Sequence, residues 1–518
     1  MKIIKNKRMK KSQLLPLGLT VIGAVLFNYL FWDELIGVNL LIFTVIILLS
    51  NIAISGFAKK PIFMMNSFSL FILAVAISLH SSTFAFIMYV ITFVLFVGTS
   101  QEPAFKTQFY SLIASFAALF KLPHAIFSKF PALQGQKTKL AFILRFVKIS
   151  IIPLLILMLF YAIFINANPV FNKFSNNIIE SIINILEPIF NAISFDRVAF
   201  ILFGFSLIGW VLYKMDVHKI LGKESNNKLN INRIRKKRIQ INKNAGNAYY
   251  KPKFLLSLGL KSEFISAVIL LSLVNVLLLI VNVIDVKWVW FGFEYSEGFD
   301  LKQFVHEGTY LLIISILLSM LIMLYYFRRN LNFYPKKNLL QKLSYVWIAQ
   351  NFILVVSVVI RNLHYITYWG LAYKRIGVFI FLIAVAFGLV TLYVKIKHKK
   401  SFYYLLKVNS LAIFIILVLS STMNWDGIIA KHNLNHQLKD HMETSFLLSM
   451  SDKVLPLIDK HDYILDQSTE LNTYRYYSDS YWDYYNRRVK SFMVKYEKHS
   501  WFSWNLADWR AYEYYKND

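Results

Sequence analysis

Apolar residues in this chain fall in long unbroken blocks, separated by short clusters of lysine, arginine, asparagine and serine. A block of about 20 apolar residues is what a helix needs to cross the hydrocarbon core of a bilayer. Eleven segments reach or approach that length. The first is 14–32, and the second lies within the charge-free stretch 35–58. The stretch 62–100 has no Asp, Glu, Lys or Arg and is too long for one helix; His80-Ser81-Ser82 divides it into a hairpin of two. The remaining spans are expected at 146–166, 198–213, 264–284, 309–327, 343–360, 376–394 and 404–422. Two other apolar stretches are not spans. Residues 107–120, bracketed by Lys106 and Lys121, are too short and read as an interfacial or re-entrant helix. Residues 174–195 place Ile178, Ile182, Ile185, Leu186 and Ile189 at helical spacing among Asn176, Asn177, Ser181 and Asn184, the stripe of a helix lying flat on a membrane.

Composition narrows the class. Of 518 residues 57% are hydrophobic and only 16% charged, against about 25% charged in soluble domains. Disorder, a fibrous protein and an ordinary cytosolic enzyme are excluded. The expected fold is all-α: a polytopic integral membrane protein with about eleven transmembrane helices and a small extracytoplasmic helical C-terminal tail. The first apolar run is longer than the core of a secretory signal and lacks a small-residue cleavage site, so it reads as an uncleaved span.

The formal charge of +29 then sets orientation. With the N-terminus in the cytoplasm and the helices alternating, the inside segments hold 36 Lys and Arg and the outside loops between helices hold seven. This is the positive-inside bias, and it needs no nucleic acid as partner. The organisation read from it is a basic cytoplasmic N-terminus (1–13), a membrane region of six spans (14–213), a basic cytoplasmic loop (214–263), a membrane region of five spans (264–423) and an aromatic-rich extracytoplasmic tail (424–518). The partners expected are the bilayer and, at the 214–263 loop with its run Arg233 to Arg238, anionic lipid headgroups. In the tail, 445–459 reads as one amphipathic helix limited by Pro456, and the aromatic stretch 474–515 reads as a small helical domain packing its own rings.

Ionisable groups in or at the ends of spans are costly, and they mark site candidates. His306, Glu307, Arg361, His364, Lys374, Arg375 and Asp426 all fall at outside ends of the last four spans, Asp285 closes the seventh on the same face, and Asn282 and Asn351 lie deeper. If these helices pack together, Glu307, Arg361, Arg375 and Asp426, with His306 and Asn351, form a polar pocket open to the periplasm that holds a ligand or relays protons. The competing reading is structural ion pairs at the membrane surface. His432 and His436 share a helix face, but the glutamate of a His-Glu-x-x-His motif is missing, so no metal is expected. The chain has no cysteine, no phosphate-binding glycine loop and no Gly-x-Ser-x-Gly elbow, and no cofactor is expected.

Several segments resemble a family. They are Ala167-Asn168-Pro169-Val170-Phe171, His306-Glu307-Gly308, Asn351 through Arg361 to Trp369-Gly370-Leu371-Ala372-Tyr373-Lys374-Arg375, Asn424-Trp425-Asp426, Ile428 through His432 to Leu434, and 449–457. Across roughly 146–460 the chain is similar to the bacterial membrane family catalogued as domain of unknown function 4173, a sister of 4153. It departs from the family pattern at Trp425, where proline is usual, at Trp369 and Ala372, and at His432. The resemblance implies a multi-span bacterial inner-membrane protein and transfers no catalytic residue. The function expected is a non-enzymatic binding, transport or envelope-support role. The alternatives are a membrane-embedded transferase or hydrolase with Glu307 or Asp426 as base, and a signalling scaffold working through the 214–263 loop.

Overall fold

The computed structural model describes residues 11–127, 195–233, 259–292, 301–328, 330–435, 444–466 and 481–517, with scattered positions between 150 and 180. Before the tail the helices are α1 (Lys11–Phe31), α2 (Val38–Ser55), α3 (Pro61–His80), α4 (Thr83–Gln101), α5 (Gln108–Phe127), α6 (Phe195–Leu212), the short α7 (His218–Ser225), α8 (Leu260–Asp285), α9 (Leu301–Tyr326), α10 (Lys337–Trp369), α11 (Tyr373–His398) and α12 (Phe402–Ser421). The tail follows with α13 (Trp425–Asn435), α14 (Thr444–Leu448), α15 (Leu455–Asp459), α16 (Tyr481–Lys498) and α17 (Leu506–Asn517). Among the described residues nine helices are long and apolar enough to cross a membrane, and the shorter apolar stretch Leu15–Phe31 precedes them. The protein is an all-α polytopic membrane protein.

The hairpin break falls where the serines stand. Ser81 ends α3 in the left-handed conformation (φ 46°), and Ser82 precedes the first turn of α4. Two packed cores result. One joins α1 to α6 and includes Phe414 and Val418 of α12; the other joins α8 to α11. α12 therefore bridges the halves, since it packs on α4 and α5 as well as on α11.

Alternation sorts the helix ends onto two faces. On one, the tail sits against the α1–α2 loop: Val38 N–H donates to the Trp504 carbonyl, and Ser503 Oγ hydrogen-bonds Glu34. On the same face Lys453 Nζ reaches the His80 carbonyl at the end of α3, and Leu371 N–H donates to Asn433 Oδ1. The opposite face gathers the basic ends. There the buried Glu224 of α7 accepts from Lys106 N–H, Thr107 Oγ1 and Tyr403 Oη, and Ser401 N–H donates to the Leu229 carbonyl. The start of the 214–263 loop is thus folded back onto helix ends from both halves. α4 ends on this basic face, and α6 starts on the tail face, where Arg197 lies over the ring of Trp32. The expected span at 146–166 and the flat helix at 174–195 lie largely outside the described residues.

Three expectations are corrected. α5 continues to Phe127 rather than stopping at Phe120, because Lys121 swings aside to donate to the Asp216 carbonyl. α5 also lies across helix ends. Ser111 presses so closely on Gly98, near the end of α4, that a Cβ there would overlap its carbonyl. Further along, Ser115 accepts from the Trp210 indole, and Leu122 lies against Gly209 near the end of α6. A helix entering the bundle would carry Leu122 about 16 Å deeper than Ser111. The second correction is the length of α10, 33 residues, of which sequence reading marked only the apolar middle. The third is in the tail. The stretch 445–459 is two helices, since Pro456 sits in the first turn of α15 and starts a helix instead of limiting one.

Candidate functional site

α8 and α10 pack side by side in the same direction, and polar residues recur along their contact every seven positions. Asn275 donates to the Leu343 carbonyl at 3.1 Å, and Asn282 donates to the Gln350 carbonyl at 3.2 Å. Gln350 Nε2 donates back to Asn275 Oδ1 at 2.9 Å. One turn of π-helix, Val286–Trp290, then widens the end of α8. From it Trp290 Nε1 reaches Ser357 Oγ at 3.0 Å, and His364 Nε2 lies 3.1 Å from the Val289 carbonyl. At the centre of this seam Arg361 Nη2 meets Asp285 Oδ1 at 2.6 Å, both side chains being buried. Among the described residues, Asn282 Oδ1, Gln350 Oε1, Asn351 Oδ1 and Asp285 Oδ2 have no hydrogen-bond partner. The seam therefore offers acceptor oxygens in a place where hydrocarbon supplies no donors.

A second polar group sits where the tail meets the helices. Asp426, in the first turn of α13, accepts from Tyr373 Oη at 2.7 Å and from Ser451 Oγ at 2.5 Å, and pairs with Lys453 Nζ at 2.8 Å. Burial raises its pKa, but the Lys453 ammonium, with the hydrogen bonds from Lys453, Ser451 and Tyr373, outweighs burial and holds the carboxyl below the usual carboxylate range. This latch closes one side of a cavity of about 680 Å3. Its polar wall is Ser81, Ser82 and Thr83 at the start of α4, together with Tyr373, Asp426, Ser449 and Ser451. Its apolar wall is Phe84 and Ile87 of α4 and Ile376, Gly377 and Ile380 of α11, with Trp425 and Met450 above. The polar residues lie at the helix ends and the apolar ones down the first turns, so the lining changes from polar to apolar along the helix axes.

Residues 43–461 match the family described as Domain of unknown function (DUF4153). The chain belongs to this family. It is the sister of the family that the chain's motifs resemble. The DUF4153 match takes in both the seam and every residue lining the cavity, and it ends before α16 and α17. No curated protein and no solved structure matches this DUF4153 chain.

Among the described residues, those expected in one pocket stand at two places in this DUF4153 protein. Arg361 pairs with Asp285. Arg375 donates to the Trp369 and Gly370 carbonyls and lies over the ring of Tyr365, so it caps the end of α10. Asn351 is buried and donates to the Trp347 carbonyl one turn back. Asp426 stands apart in the cavity with Lys453 as its cation. His306 and Glu307 fall in the first turns of α9, and their side chains lie outside the described residues, as do His436, His441 and Glu443. Tyr373, Ser451 and Lys453 escaped selection as site residues. Their signal was present, since Tyr373 lies in the quoted motif 369–375 and the other two in 449–457.

Two outcomes follow from these pairs. Replacing either partner of the buried pair alone, as Asp285→Leu or Arg361→Met, should cost about 3–5 kcal/mol because the other charge is left buried without its counter-ion. The double variant should recover most of that loss, as read by thermal unfolding in detergent; additive losses would refute the coupling. The latch at Asp426 makes an acid prediction. A carboxyl held low in the fold stabilises fully above the ordinary value of about 3.9 and loses that contribution as pH falls through the folded value. Tail docking, followed by protease sensitivity, should hold from pH 8 to 5 and weaken only below about pH 4. In Asp426→Asn that acid transition should be absent; if it persists unchanged, the latch does not control docking.

Proposed function

We propose that this protein binds an amphiphile from the outer leaflet of a bacterial inner membrane, at the cavity between α4, α11 and the tail. The observation that carries the reading is the gradient of the cavity wall. Serines, threonine, tyrosine and aspartate form its mouth, and Phe84, Ile87, Ile376 and Ile380 form its depth. Ile87 is half exposed, so the apolar part opens sideways toward lipid. A pocket of several hundred Å3 with an apolar body and few oriented polar groups is the usual form of a small-molecule site.

The orientation assumed is a cytoplasmic N-terminus and a periplasmic tail. It is supported by the excess of Lys and Arg, 36 against seven, in the segments that alternation assigns to the cytoplasmic side. The anionic headgroups of the inner leaflet are the natural partners of that face and of the 214–263 loop. The enzyme alternative is less well supported. A carboxylate held low in proton affinity, with Lys453, Ser451 and Tyr373 already on it, is a poor general base near neutral pH. The scaffold alternative rests on the part of the loop outside the described residues.

Gly377 permits a direct test, because a Cβ added there meets nothing within 4 Å and points into open space. Protein purified in mild detergent should retain about one amphiphile per chain after extraction and mass analysis. Gly377→Phe should fold normally and lose it. Equal retention by the two proteins would rule the cavity out as the site.

A further inference from the structure

We infer that the head group received by this cavity is uncharged and rich in hydroxyls, as in a sugar-headed lipid, and is not the phosphate of a phospholipid. The inference rests on the amphiphile reading above and names the class of amphiphile. It follows from which polar groups of the wall already have partners.

Among the described residues lining the cavity Asp426 is the one with a charge, and Lys453 neutralises it at 2.8 Å. The Lys453 side chain is itself 2% exposed and spends another bond on the His80 carbonyl, so its charge does not face the cavity. Among the described residues lining the cavity a phosphate would meet no cation, and it would lie beside a carboxylate. Phosphate sites ordinarily supply arginine or lysine.

What the wall does offer is hydroxyls. Ser81, Ser82 and Thr83 line the mouth, and Ser82 makes no capping bond to α4. Each hydroxyl both donates and accepts. Beside them are the first backbone N–H groups of α4, which have no partner within the helix and act as donors. Asp426, by contrast, is an acceptor. A mixed set of donors and acceptors with no net charge complements hydroxyls, which also do both, better than it complements a phosphate, which only accepts. Tyr373 and Trp425 stand at the same mouth, and their ring faces suit the CH faces of a sugar ring. Below the mouth, Ile380 lies about 10 Å further along α11 than Tyr373, which leaves room for the first carbons of a lipid chain.

The test offers the purified protein equal amounts of glucosyl diacylglycerol and phosphatidylglycerol with identical acyl chains and reads bound lipid by native mass spectrometry. The glycolipid adduct should exceed the phospholipid adduct by about tenfold. Gly377→Phe, or the milder Gly377→Leu, should remove it. Ser82→Ala with Thr83→Val should lower it several-fold and leave thermal stability unchanged. A phosphatidylglycerol adduct that equals or exceeds the glycolipid and is removed by the Gly377 variants would overturn the head-group inference and leave the amphiphile reading standing. If neither adduct responds to Gly377→Phe or Gly377→Leu, both readings fall.

Discussion

A helix that crosses hydrocarbon must satisfy its backbone within itself, and each crossing carries the chain to the other side. The rest of the structure depends on that constraint. It places the ends of α1, α3, α10 and α12 with the starts of α2, α4 and α11 on one face, and that face is the one the tail covers. On the other face Glu224 ties the 102–107 loop, α7 and the start of α12 together. The cavity exists because α4 and α11 belong to different halves. α12 holds the halves together, and the tail segment 449–451 roofs the gap they leave.

The same constraint governs the polar groups inside. The α8–α10 seam pairs its one strong acid with its one strong base and lets amides reach the backbone of the neighbouring helix. Such a seam fixes register: a one-residue slip would break the seven-residue repeat of Asn275 and Asn282 against Leu343 and Gln350. The π-turn at Val286–Trp290 supplies the local change of pitch that brings Val289 and Trp290 onto α10. The cavity handles its ionisable groups differently, since Asp426 and Lys453 serve to hold tail to membrane domain.

Much of the fold was legible because hydrophobic length is a local property. The turn at His80-Ser81-Ser82 could be read from a break in a run without charges, and the structure puts the end of α3 there. Helix ends were less legible. The polar flanks of α10, from Lys337 to Lys342 and from Arg361 to Trp369, disguise a helix that continues well past its apolar middle. Lys121 read as a boundary because sequence does not show that a lysine can fold back to a carbonyl. The site was legible in its residues and not in its partners. Asp426 and Arg361 stood out as charges at helix ends, but their choice of Lys453 and Asp285 depends on where the tail folds and on how α8 lies against α10. Neither is a local property.

Sidedness is the claim on which the cavity, its outer-leaflet ligand and the basic face all rest. The absence of cysteine makes it directly measurable, with a single cysteine at Ser491 on the exposed side of α16 and, in a second protein, at Ser225 at the end of α7. Intact spheroplasts would be treated with a membrane-impermeant maleimide, and lysed cells would serve as the control. The account predicts labelling at Ser491→Cys in intact spheroplasts and at Ser225→Cys only after lysis. The reverse pattern would put the tail and the cavity in the cytoplasm and contradict it.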